Sequence, residues 1–175
     1  MSERNFDKQA APLARRLTNM LARGVVLLVN TASKMQALQI SLLAGETADN
    51  LEHFEPYGYT SHPHPGAEAI TVFVDGDRAH GITIVVADRR YRLRGLAAGE
   101  VALSDDLGQK VHLTRAGIVI DGANLPIAFN NTPLVTFNCS VAVQGASLTH
   151  AGKNVGSTHT HGGVQPGASN TGAPV

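Results

Sequence analysis

The sequence predicts a mainly β protein, in which an N-terminal helix leads into a small five-stranded barrel of the oligonucleotide/oligosaccharide-binding (OB) type and then into a second β-rich tract. Three observations carry this reading. Apolar residues recur at helical spacing only near the N-terminus and at a period of two thereafter. The strand-like runs that follow are short and closely spaced, the pattern of a small barrel. Charge, finally, almost vanishes from the last third: beyond Asp121 the only charged side chain is Lys153.

The elements follow in order. Leu13, Leu17, Met20 and Leu21 lie at i, i+4, i+7 and i+8, one stripe of a helix over Phe6 to Arg23, with Arg15, Arg16 and Arg23 off the stripe and Gly24 as its stop. Residues 1–24 are therefore assigned to an N-terminal helical segment. "VVLLV", Val25 to Val29, reads as a buried strand, and Leu38, Ile40 and Leu42 alternate with polar residues in a second. Ile70, Val72 and Val74 make a third, closed by the turn signal "VDGDR", and Ile82, Ile84 and Val86 a fourth. "RRYRLRG", Arg89 to Gly95, supplies a fifth with Tyr91 and Leu93 inward, which assigns 25–95 to the OB domain.

Beyond Gly95 come "EVALS", "KVHLT", "GIVID", "LPIAF" and the longer "VTFNCSVAV", where Val135, Phe137, Cys139, Val141 and Val143 share one face. From Gly122 onward, large apolar side chains are too few to offset the backbone entropy of folding, about 1–2 kcal/mol per residue. Alone, this portion should not fold. It is either a disordered tail or one strand set of an intertwined β-oligomer, and the alternation around Cys139 favours the oligomer.

The totals exclude several classes. Fourteen basic and fourteen acidic residues give no net charge, hence no global attraction to nucleic acid or anionic membrane. One cysteine cannot form an intrachain disulfide, and no run approaches the roughly 20 apolar residues of a membrane span. The charged N-terminus does not read as a secretory signal, so a protein made soluble in the cytoplasm is expected.

"GSTHTHGGVQPG" holds His159 and His161, which in extended chain point to the same side. Two nitrogens are an incomplete site, since a structural zinc takes four ligands and a catalytic one three. If three chains met on a threefold axis, six imidazoles would close an octahedral shell, a geometry pointing to iron, with nickel or cobalt as competitors. Such a saturated shell would be structural. The other reading is a polar tail that binds nothing.

The residues also carry a resemblance. "YGYTSHPHPGAEAITVFVDGDRAHGITIVVADRRYRLRGLAAGEVAL" and "STHTHGGVQPGASNTG" resemble the barrel-to-stalk region and the tip of the central spike, or baseplate assembly protein V, of contractile-tailed bacteriophages of the Mu type. The resemblance implies a homotrimer: an OB-fold domain, an intertwined trimeric triple-stranded β-helix over 96–150 as a shaft, and a small metal-binding apex over 151–175. It implies one iron ion per trimer, bound by His159 and His161 of each chain, and calcium and chloride ions on the trimer axis, whose ligands here it does not identify. It implies a non-enzymatic virion protein at the tail baseplate tip that contacts tail tube and hub proteins, punctures the host outer membrane when the sheath contracts, and so serves viral genome ejection.

Other motifs compete with that reading. His62, His64 and Glu68 form an H-x-H-x-x-x-E fragment like part of a cupin metal site, although a loop stiffened by Pro63 and Pro65 accounts for it. Arg89, Arg90, Arg92 and Arg94, with Phe54, Tyr57 and Tyr59, could form a single-stranded nucleic-acid surface on a barrel, against which the neutral net charge argues. Asp105, Asp106 and Asp121 raise a polysaccharide hydrolase, yet Asp105 and Asp106 read as a turn. His53, His80, His112 and His150 are isolated, and Cys139 on the apolar face of its strand is expected to be a small buried hydrophobe.

Overall fold

Five strands close into a barrel: β1 (Leu21–Asn30), β2 (Ala37–Ser41), β3 (Thr47–His53), β4 (Glu68–Phe73) and β5 (Gly81–Ala87), neighbours in the order β1, β2, β3, β5, β4. All pairings are antiparallel except β3 with β5. A closed barrel of this size is the kind expected of an OB-like domain. It is preceded by α1 (Glu3–Asn19) and followed by a three-stranded antiparallel sheet, β6 (Val101–Ser104), β7 (Lys110–Leu113) and β8 (Ile118–Asp121). These coordinates are a computed structural model that describes residues 3–145, 147–160, 163 and 167. The chain divides into two units, Met1–Ile127 and Ala128–Val175, and the second holds a small hairpin of β9 (Thr149–His150) and β10 (Lys153–Asn154).

Helical spacing overran the helix. α1 ends at Asn19, and Leu21, Ala22, Arg23 and Gly24 belong to β1, where each pairs with β4. Gly24 is thus no helix stop but a crossing point: a Cβ there would lie 2.3 Å from the Ile40 side chain and 2.6 Å from the Ser41 carbonyl.

The fifth strand is also not where alternation put it. Residues 89–95 form a turn and a loop, with Tyr91 exposed. The missing strand is β3, whose inward residues Ala48, Leu51 and His53 break the period of two because a bulge intervenes, with Asn50 at φ 53. One extra residue in one strand shifts every later side chain to the other face, and Asn tolerates this left-handed conformation.

The barrel interior holds Val26, Leu38, Ile40, Leu42, Leu51, Ala67, Ala69 and Phe73. On β4 the period was right and the face inverted, and on β5 the inversion holds as far as a bulge. Ala69, Thr71 and Phe73 point inward with Gly81 and Thr83, while Ile70, Val72, Ile84 and Val85 lie partly or largely exposed. Val86, beyond the bulge, packs against the core as its alternation predicted. A five-stranded barrel has a narrow lumen, so small residues line it where a large one, Phe73, already fills the space. The Thr71 and Thr83 hydroxyls, both fully buried, sit 3.1 Å apart and satisfy each other.

"VVLLV" is likewise two-faced. Only Val26 is fully buried, whereas Val25, Leu27 and Leu28 face outward, the register shifting between Val26 and Leu28.

Candidate functional site

The sheet β6–β7–β8 is amphipathic in both directions. Its pairing sets Val101 beside Leu113 beside Ile118, and Leu103 beside Val111 beside Ile120, so six aliphatic side chains occupy one face. All six are exposed. The opposite face carries Ala102, His112 and Val119, then Ser104, Lys110 and Asp121, with an ion pair of 2.6 Å between Lys110 and Asp121. Lys110, together with the Ala123 N–H, holds the Asp121 carboxyl below the usual carboxylate range. A soluble chain does not ordinarily leave a continuous aliphatic sheet face in water, and such a face marks an interaction surface.

The ends of this sheet are tied by carboxylates. Glu100 accepts N–H groups from Ala97 at 2.9 Å and Arg115 at 3.0 Å and lies 3.2 Å from His112 Nε2, and those backbone donors depress its pKa. Asp105 accepts the Leu107 and Gln109 N–H groups in the β6–β7 turn, as its place in a turn requires. Asp106 meets His64 Nε2 at 3.0 Å, linking that turn to the loop before β4.

These partners dissolve the competing motifs. His64 pairs with Asp106, while Glu68 accepts from both Arg23 and Arg89, so the H-x-H-x-x-x-E fragment converges on no common point. Arg90 binds Asp88 and the Pro65 carbonyl. Asp105, Asp106 and Asp121 have three separate sets of partners and do not form a facing carboxylate pair.

Sequence spacing gave no sign of the hydrogen bonds that organise the loop between β3 and β4. Glu55 accepts from Ser61 N at 2.7 Å and from the Thr60 and Ser61 hydroxyls, bonds that lower its pKa even though partial burial opposes them. Buried His53 sits with Nδ1 2.9 Å from Gln36 Oε1, and Gln36 donates in turn to the Ser61 carbonyl at 2.6 Å. Burial pushes the His53 pKa below its ordinary value, so the ring is neutral and is read as the Nδ1–H tautomer.

The run around Cys139 departs from its expected strand. No ladder forms over residues 134–144, Cys139 lies exposed at a bend, and Val135, Phe137, Val141 and Val143 are exposed with it. A strand exists only with a partner for its N–H and C=O groups, and within one chain the alternating run finds none.

At the histidines, a two-residue turn of Ala151 (φ 49) and Gly152 (φ 76) joins β9 to β10, the positive-φ pair a tight hairpin demands. Asn154 accepts the Gly156 N–H at 2.8 Å and donates to Thr158, and His159 Nδ1 lies 2.6 Å from the Gly156 carbonyl. With Nδ1 donating to a carbonyl, the ring lone pair resides on Nε2, the arrangement common in metal-ligating histidines. His161 lies outside the described residues. Among the described residues no three His, Cys, Asp or Glu side chains gather as a metal site.

A barrel, an uncovered apolar sheet and a polar, histidine-bearing C-terminal tract define a structural β protein that builds surfaces for assembly. A family model described as "Bacteriophage Mu Gp45, N-terminal" matches residues 23–90, and one described as "GpV Apex motif" matches residues 157–175. The chain is 37% identical over 145 residues to the baseplate puncturing device gp45 of Escherichia phage Mu, covering 79% of this chain and 74% of that relative. It is 36% identical over 172 residues to the Mu-like prophage FluMu protein gp45 of Haemophilus influenzae, covering 89% and 93%. The chain belongs to the Mu gp45 family.

Proposed function

We propose that the protein is a non-enzymatic central spike of a phage tail baseplate, acting as a homotrimer that punctures the host outer membrane. The observation that carries this is the aliphatic face of Val101, Leu103, Val111, Leu113, Ile118 and Ile120, exposed in the single chain. Three such faces turned to one axis form a dry prism and leave the Lys110–Asp121 face in water. Residues 96–150 then act as an intertwined shaft, in which the run around Cys139 obtains its ladder from neighbouring copies, and 151–175 act as the apex. The puncturing role is that of the named Mu relative, and the apex motif match supports its position at the tip.

In this reading His159 and His161 of three chains bind one iron ion, and the Gly156 carbonyl orients each His159 ring. The ion supplies a closed structural node that stops three chain ends from splaying under load, with no open coordination position for chemistry. Because the six ligands converge only in the assembled tip, metal binding and tip folding are coupled. Partners are the tail tube and baseplate hub proteins on one side and the host outer membrane on the other, and the location is the virion.

Light scattering combined with elemental analysis on the full chain tests both parts. Three chains per particle and one iron per three chains are the expected results. A monomer at micromolar concentration sinks the spike reading, and one metal per chain, or none, sinks the six-histidine tip.

A further inference from the structure

α1 carries an apolar seam that is largely exposed at its described residues Leu13 and Leu17. Phe6, Ala10, Leu13, Leu17 and Met20 follow one another at intervals of 4, 3, 4 and 3 residues, the spacing of a coiled-coil seam. Leu13 and Leu17 are 62% and 61% exposed. Among the described residues, the contacts that hold the helix lie at its C-terminal end. Gly76 lies so close beneath it that a Cβ would come within 2.7 Å of the Arg16 carbonyl, and the Phe73 N–H donates to the Met20 carbonyl at 2.8 Å.

The width of the stripe identifies the occupant. A helix that lies on a sheet needs a broad apolar face, roughly three positions in seven, whereas a helix that packs on other helices needs only the two seam positions. Here the positions flanking the seam are Asp7, Gln9, Ala14 and Arg16, so the apolar strip is narrow. A lone helix of 17 residues is marginal in water, and Pro12 in its interior removes a backbone hydrogen bond. The segment therefore needs a helical partner to persist.

We infer that α1 packs against α1 of other copies of this chain as a short parallel helical bundle at the barrel end of the trimer. The inference rests on the trimer reading above. It adds a second, independent clasp: the aliphatic sheet faces join the copies after the barrel, and the helices join them before it. Anchoring through the β4–β5 turn at Val74–Gly76 fixes each helix to its barrel, so helix pairing sets barrel spacing.

Single cysteines test this in the full chain with Cys139→Ser as background. Leu13→Cys and Leu17→Cys place thiols on the seam, within the roughly 4.4–6.8 Å Cα separation that a disulfide spans, and Arg15→Cys and Thr18→Cys place them off it. The expected result is a trimer in which mild oxidation links chains at the two seam positions several-fold more than at the two controls. A trimer in which seam and control positions link equally overturns the bundle, leaves the trimer standing and assigns the seam to another protein's helix. A monomer overturns the trimer reading and the bundle together.

Discussion

Leu103 on β6 stands directly opposite Val111 on β7, both on the aliphatic face of the sheet and both in water in the single chain, 61% and 38% exposed. Among the described residues of their own unit nothing covers them, and in the proposed trimer the neighbouring copies do. Leu103→Lys should turn the three-chain particle into smaller species in light scattering, because three buried ammonium groups would face one another without counter-charges. Ala102→Lys, on the opposite face of the same strand, should leave the particle intact. Equal behaviour of the two variants contradicts the inward orientation of this face.

The Thr71–Thr83 pair predicts a non-additive result. Thr71→Val leaves the Thr83 hydroxyl buried without its partner and should cost about 1–3 kcal/mol, whereas the double change to valine removes both polar groups and should be close to neutral. Denaturant unfolding at one fixed chain concentration of the native chain, Thr71→Val, Thr83→Val and the double variant measures the four corners of the cycle. Additive losses would show that the two hydroxyls do not depend on each other.

His53 predicts a pH dependence. Burial holds its pKa below the ordinary 6.5, with nearby Glu55 opposing, so below pH 6.5 the unfolded chain binds protons that the folded chain refuses. Stability should therefore fall as pH drops from 6.5 toward the folded-state value. Glu55, Glu100 and Asp121 have depressed pKa values, so their stabilising contributions are lost only at lower pH, as they too become protonated. Unfolding midpoints between pH 7 and 5 should fall less steeply in His53→Asn than in the native chain.

Gly24 predicts a steric penalty. Its missing Cβ makes room for Ile40 and the Ser41 carbonyl, and Gly24→Ala should destabilise the barrel by about 1–3 kcal/mol. Gly45, with open space around it but φ +77, should suffer from backbone strain alone. A thermal shift at Gly24 no larger than that of an exposed strand substitution such as Leu28→Ala would contradict the close approach.

Several features were legible in the residues themselves. The period of two located β2, β4, β5 and the first three short strands after Gly95, whereas "LPIAF", Leu125 to Phe129, forms no strand; the loss of charge after Asp121 marked a tract unlike the rest. The histidine spacing posed a question that the proposed trimer answers, since two ligands on one side of an extended segment cannot close a shell alone. Missed features have local causes. β3 was hidden by its bulge at Asn50, and the arginine-rich run 89–95 imitated a strand because alternation can persist in a loop that Glu68, Asp88 and Pro65 tie down.

By itself, the sequence determined which residues share a side: Ile70 with Val72, Thr71 with Phe73, Leu103 with Val101. Only the tertiary structure decided which side is inside, because alternation has two faces and both of these carried apolar atoms. The narrow lumen of a five-stranded barrel took the smaller residues and Phe73 and turned the branched ones outward. After the barrel, the aliphatic face of the sheet meets no second layer among the described residues of its own unit and stays exposed.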